Sequence, residues 1–89
     1  MKELERAILG QLSIAMGIDD PESNEARKLV AMHRRWIGLN WGHEPQDEAY
    51  LGLAHGYLAD QRFIDYCDKP CGTGATAFLV QAIESLTRA

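Results

Sequence analysis

Along the whole chain, apolar residues recur at spacings of three and four, and no segment alternates convincingly at a spacing of two. A period near 3.6 marks a helix with one buried face, whereas a period of two marks a half-buried strand. The pattern leaves no material for a sheet and calls for helices packed on one another. Residues 3–16 carry Leu4, Ala7, Ile8, Leu12, Ala15 and Met16 on one stripe that stops at Gly17. A polar connector, Gly17 to Glu22, leads to Ser23 at the N-cap of a second helix, Asn24 to Asn40, with Glu22 and Glu25 near its positive end. Its stripe is Ala26, Leu29, Val30, Ile37 and Trp41, with His33 and Trp36 on the flanks. Gly42-His43-Glu44-Pro45 ends it, because a residue preceding proline avoids helical geometry. A third helix, Gln46 to Leu58, aligns Tyr50, Leu51, Ala54, Tyr57 and Leu58. Asp60 caps a short fourth helix, Gln61 to Cys67, that buries Phe63 and Ile64. Pro70 to Gly74 breaks the chain again, and a fifth helix, Ala75 to Leu86, carries Phe78, Leu79, Ala82, Ile83 and Leu86. The expected fold is all-α, five helices in a single domain over residues 1–89.

With 89 residues and 46% hydrophobic content, the chain can build one small core. Its longest apolar runs, such as Ala77-Phe78-Leu79-Val80, fall far short of the roughly 20 residues of a membrane span. The charged start, Met1-Lys2-Glu3-Leu4-Glu5, lacks the apolar centre of a signal peptide, so the expected location is the cytoplasm. The net charge is −4, and residues 44–68 set six acids against the single base Arg62. Such a stretch repels the phosphate backbone of nucleic acid. Arg27-Lys28 and Arg34-Arg35, at helical spacing, read as a solvated helix face rather than a nucleic-acid contact.

The inventory for chemistry is thin. No nucleophile elbow, phosphate-cradling glycine loop or HExxH stands in the sequence. Cys67 and Cys71 bracket three residues, and a lone CxxxC lacks the paired spacing of a structural zinc site. The expectation is free thiols, no metal, no cofactor and no catalysis, with a small Cys/His enzyme or metalloprotein as the weaker alternative. The aromatics are more informative, since six of the seven fall within residues 36–66. Trp36 and Trp41 are five residues apart, about 140° around a helix, so one packs inward and the other lies at an edge. Trp41, Tyr50 and Tyr57 suit a ligand cleft beside the His43-Glu44-Pro45 loop as well as they suit the core. His33 suits a core position with one satisfied nitrogen, or a ligand contact.

The strings His33-Arg34-Arg35-Trp36-Ile37, Gly52-Leu53, Tyr57-Leu58-Ala59-Asp60-Gln61-Arg62-Phe63 with Tyr66, and Phe78 to Ile83 together resemble one family. The chain is similar to the TipAS antibiotic-recognition domain, the effector portion of certain MerR-type transcriptional activators. The resemblance spans residues 23–86 and leaves residues 1–22 as a mobile N-terminal helix and connector. It implies a globin-like five-helix bundle with a ligand cleft between helices. It implies a ligand-sensing role, in which a large hydrophobic antibiotic, thiopeptide-like or other, is bound and the event is passed to a separate winged-helix DNA-binding domain. The full regulator would be a homodimer and this domain a monomer that meets no membrane and touches DNA only through that head. A stand-alone drug-sequestering protein is the alternative. In the family's thiopeptide-binding prototype a cysteine in the loop before the third helix captures the ligand. Here that loop, Gly42 to Pro45, holds none, so the family's route to covalent capture lacks its nucleophile and reversible binding stays open. The candidate ligand-binding residues are Met32, His33, Trp36, Trp41, His43, Tyr50, Tyr57 and Phe63.

Overall fold

A computed structural model describes Lys2 to Thr87 and contains, among those residues, five α-helices and no strand. They are α1 (Lys2–Ile18), α2 (Asn24–Trp41), α3 (Asp47–Tyr57), α4 (Gln61–Cys71) and α5 (Ala75–Thr87). Two caps sit where the sequence puts them. The Ser23 side chain accepts from the Ala26 N–H at 3.1 Å, and the Asp60 side chain accepts from the Arg62 N–H at 3.0 Å. Each satisfies one of the orphan donors at a helix start.

Two helix ends differ from expectation. Gly17 does not stop α1, which runs on to Ile18. The stop is Asp19, which takes the left-handed conformation at φ 61° while its N–H closes on the Ala15 carbonyl at 3.0 Å. Aspartate is among the few residues besides glycine that visit this region. Nor does Pro70 end α4, which continues to Cys71. Proline's fixed φ fits a helix, and in the last turn its missing N–H forfeits a single bond. The turn is held by the Gly72 N–H donating to the Asp68 carbonyl at 2.7 Å and by the Cys71 thiol reaching the Leu9 carbonyl of α1 at 3.3 Å.

The core forms around α5, which packs against each of the other four helices. Seven of its residues are buried, including Thr76 and Val80 off the expected stripe. From α1 come Ile8, Leu12 and Ala15, but Ala7 is exposed and Gln11 is buried in its place. Gln11 Nε2 bridges to α2, donating to the backbone carbonyl of Glu25 at 2.9 Å and to its carboxylate at 2.7 Å. In α4 the buried residue is Cys67, while Phe63 and Ile64 are only half-buried. Leu58 lies past the end of α3 and is exposed.

The α2–α3 corner is the tightest in the molecule. Gly42 takes φ 82° to end α2, and a Cβ at Gly38 would come within 3.3 Å of Glu44 Cα, so any larger residue there would push the returning loop back by a few tenths of an ångström. Arg34 pins this loop: its guanidinium donates to the Pro45 carbonyl at 2.6 Å, pairs with Asp47 at 2.9 Å and lies over the Tyr50 ring. Arg34 is thus withdrawn from the solvated basic face expected of it, whereas Arg27, Lys28 and Arg35 are exposed.

Candidate ligand-binding site

His33 sits where α2, α3 and α5 converge and is 2% exposed, in the core rather than on a flank. Both ring nitrogens are satisfied, Nδ1 by the Tyr50 hydroxyl at 2.7 Å and Nε2 by the Tyr57 hydroxyl at 3.1 Å. The Tyr50 hydroxyl donates onward to the Val30 carbonyl at 3.4 Å. This fixes the direction of the chain: Tyr50 accepts from a protonated Nδ1, and Nε2 accepts from Tyr57. Burial without a carboxylate partner lowers the His33 pKa to about 4, so the ring is neutral at physiological pH. Burial likewise raises both tyrosines above their ordinary range, with mutual repulsion adding to the shift at Tyr50.

In front of this network lies an apolar slot with a cavity volume of about 30 Å³. Its inner wall is His33 and Trp36, one helical turn apart on α2, with Leu79 of α5 behind them. Phe63, Tyr66 and Cys67 of α4 form the opposite wall, and α1 roofs it with Glu5, Ile8, Leu9 and Leu12. The i, i+3, i+4, i+7 spacing of those four residues is one face of α1. Phe63 stacks on Tyr57 with ring centroids 3.6 Å apart and an 8° tilt. Outside, a wider depression of about 420 Å³ shares Glu5, Trp36, Phe63 and Tyr66 with the slot and adds Asp60 and Arg62. The Trp36 indole Nε1 is buried and meets no acceptor.

The structure brings together His33, Trp36 and Phe63 at the slot, with Tyr57 and Tyr50 behind them. Met32 is half-buried against the core. Trp41 is 43% exposed and sits beside His43 at a ring distance of 6.2 Å, and neither lines the slot. Trp36 is therefore the inward tryptophan and Trp41 the edge one. The cavity lies between α1, α2, α4 and α5, whereas the sequence suggests a cleft beside the α2–α3 loop. Sequence reasoning missed the contribution of α1, and Cys67 and Tyr66 on α4. The signal for α4 was present, since positions 63, 66 and 67 share one helix face.

Cys67 is a free, buried thiol whose pKa burial pushes up to about 11, and burial raises Cys71 as well. A thiol in such surroundings stays protonated and is a poor nucleophile. His55 lies on the surface beside Glu84, at 3.6 Å. Among the described residues, no group of three or more His, Cys, Asp or Glu side chains is arranged to hold a metal ion. No helix is long and apolar enough to cross a membrane.

A small helical domain built around an apolar slot with a buried, unpaired donor has the form of a ligand-binding module. A model of the TipAS antibiotic-recognition domain matches residues 1–86, and the chain belongs to that family. The match begins at residue 1, so α1 lies within it. The HTH-type transcriptional regulator SkgA of Caulobacter vibrioides, in strains NA1000 / CB15N and CB 15, is 25% identical to the chain over 87 residues. The similarity covers 98% of this chain and 32% of the regulator, so the chain spans about a third of these curated relatives. No solved structure matches.

Proposed function

We propose that the chain is the ligand-sensing effector domain of a MerR-type transcriptional regulator, that it binds large hydrophobic antibiotics or similar compounds reversibly, and that a separate domain meets DNA. The observation that carries this reading is the apolar slot roofed by α1, within a chain that belongs to the TipAS family. Its similarity to one third of a helix-turn-helix regulator supports the division of labour. So does the acidic balance of the chain, which is ill suited to contact with phosphates.

A cavity of about 30 Å³ holds little more than a water molecule, whereas drug-sized ligands occupy roughly 300–1,000 Å³. The described conformation is thus the closed, unliganded one in this reading. Binding opens the slot toward the outer depression, through movement of the α1 roof about the Asp19–Glu22 connector and of Phe63 off Tyr57. The ligand selects the open state and so shifts its population, and the attached head responds to the new position of α1. The α2–α3 loop holds no cysteine, and burial keeps the Cys67 thiol protonated, which supports non-covalent capture.

The test is a titration of intrinsic tryptophan fluorescence with a panel of thiopeptides and other large hydrophobic antibiotics, with intact-mass analysis of each mixture. Saturable quenching at unchanged protein mass is the expected result. A flat response across the panel contradicts antibiotic sensing, and a mass adduct contradicts reversible capture.

A further inference from the structure

The polar groups around the slot already have partners within the protein, with one exception. His33 uses both ring nitrogens on tyrosine hydroxyls. The Tyr66 hydroxyl bonds to Glu5, and the Cys67 thiol lies against the Thr76 side chain. The Trp36 indole N–H has no acceptor, although Nε1 is buried and the ring forms part of both the slot and the outer depression. A buried donor is rarely left unmade, and the unmade ones are places to look for a missing partner. The elements packed around Trp36 do not supply that partner, and a molecule that opens the slot far enough to reach Nε1 can supply it.

The surroundings limit what that partner can be. Ile8, Leu12 and Leu79 offer only hydrocarbon, and Phe63 and Trp36 offer flat aromatic faces, which favours a planar apolar ring. Glu5 lies in the α1 roof of the same slot, so an anionic acceptor would meet a like charge. We infer that the slot takes a planar apolar ring carrying one neutral hydrogen-bond acceptor, a carbonyl oxygen or an unprotonated ring nitrogen, and that the Trp36 Nε1–H donates to it. This rests on the slot being the ligand site. It makes Trp36 the residue that orients the ligand and the main determinant of specificity, while the apolar walls supply affinity without discrimination.

Three probes of nearly one shape separate these contributions: 2-acetylnaphthalene has a neutral acceptor, 2-isopropenylnaphthalene has none, and 2-naphthoate has a charged one. Each is titrated into the ¹⁵N-labelled, methyl-labelled chain and followed by NMR. The two tryptophans give two indole N–H signals, with Trp41 as internal control. 2-Acetylnaphthalene is expected to bind about threefold to tenfold more tightly than 2-isopropenylnaphthalene, with 2-naphthoate weakest. The acetyl probe alone should move the Trp36 indole proton downfield, and Trp36→Phe should abolish the preference. Equal binding of the two neutral probes, with Leu12 and Leu79 methyl signals shifting alike, overturns the acceptor inference and leaves the slot standing as the site. If no probe perturbs those methyl signals, the slot reading itself fails and takes this inference with it. Should Trp36→Phe not fold, the affinity ratio and indole shift of the unmodified chain decide the matter.

Discussion

A histidine held neutral in a core makes the protein answer to acid. His33 takes up a proton at about pH 4 in the folded chain and near its ordinary 6.5 when unfolded. Well above pH 6.5 neither state is protonated and the full stability is present. As pH falls from there toward 4, the unfolded chain gains a proton that the folded chain refuses, so stability declines across that window. The loss between pH 7 and pH 5 is about 2 kcal/mol from this residue alone. Denaturant midpoints at the two pH values check it. His33→Gln keeps a donor and an acceptor near the tyrosines and should remove that part of the slope, whereas parallel curves for the two proteins would contradict the assignment. The choice between core and ligand contact at His33 was open in the sequence, because its partners lie 17 and 24 residues away and a helical pattern does not register such pairings. The same holds for Arg34. As one of four clustered bases it looks solvated, and only the return of the chain at Pro45 shows it to be a pin.

Helices were legible in this sequence to within a few residues, because their signals are local: a stripe, a cap, a run of breakers. Misreadings came where a breaker was overruled by a contact from another element. Pro70 lies inside α4 because the end of that helix is fastened from two sides, by Cys71 against α1 and by Asp68 against α5. The Asp68 carboxylate accepts from the N–H groups of Gly74 and Thr76 at 3.1 and 2.9 Å and from the Thr76 hydroxyl at 2.9 Å. It therefore caps the next helix from the last turn of the previous one, and the Thr76 backbone bond is the leading cause of its lowered pKa. Asp68→Ala should cost about 1–2 kcal/mol, the upper part of the range for an N-cap replaced by alanine. For a domain of this size that is a fall in melting temperature of about 4–16 °C. An unchanged melting temperature would mean that α5 needs no cap from α4.

At the scale of the molecule, the sequence allowed an all-α fold and a place in the TipAS family, and the family model bears out the recognition, with a match that extends over α1 as well. The position of the cavity was not legible. It depends on which faces of α1 and α4 meet across α2, and a stripe of apolar residues does not reveal its partner. Trp41 shows the difficulty: its spacing places it on the apolar stripe of α2, yet it lies at the helix end, 43% exposed beside His43. Trp36, on the flank of that stripe, is covered by α1 and α4 and faces the slot. The tie from Gln11 to Glu25 holds α1 closed over it.

The central claim is that ligand enters this slot, and the two tryptophans permit a direct comparison. Trp41→Phe leaves Trp36 as the only fluorescent indole, and Trp36→Phe leaves Trp41. Each variant is titrated with whichever antibiotic saturates the unmodified chain. The account predicts saturable quenching in the chain that retains Trp36, at the affinity of the unmodified protein, and a silent Trp41. Quenching carried by Trp41, with Trp36 unaffected at saturation, would move the binding site to the α2–α3 corner and contradict it.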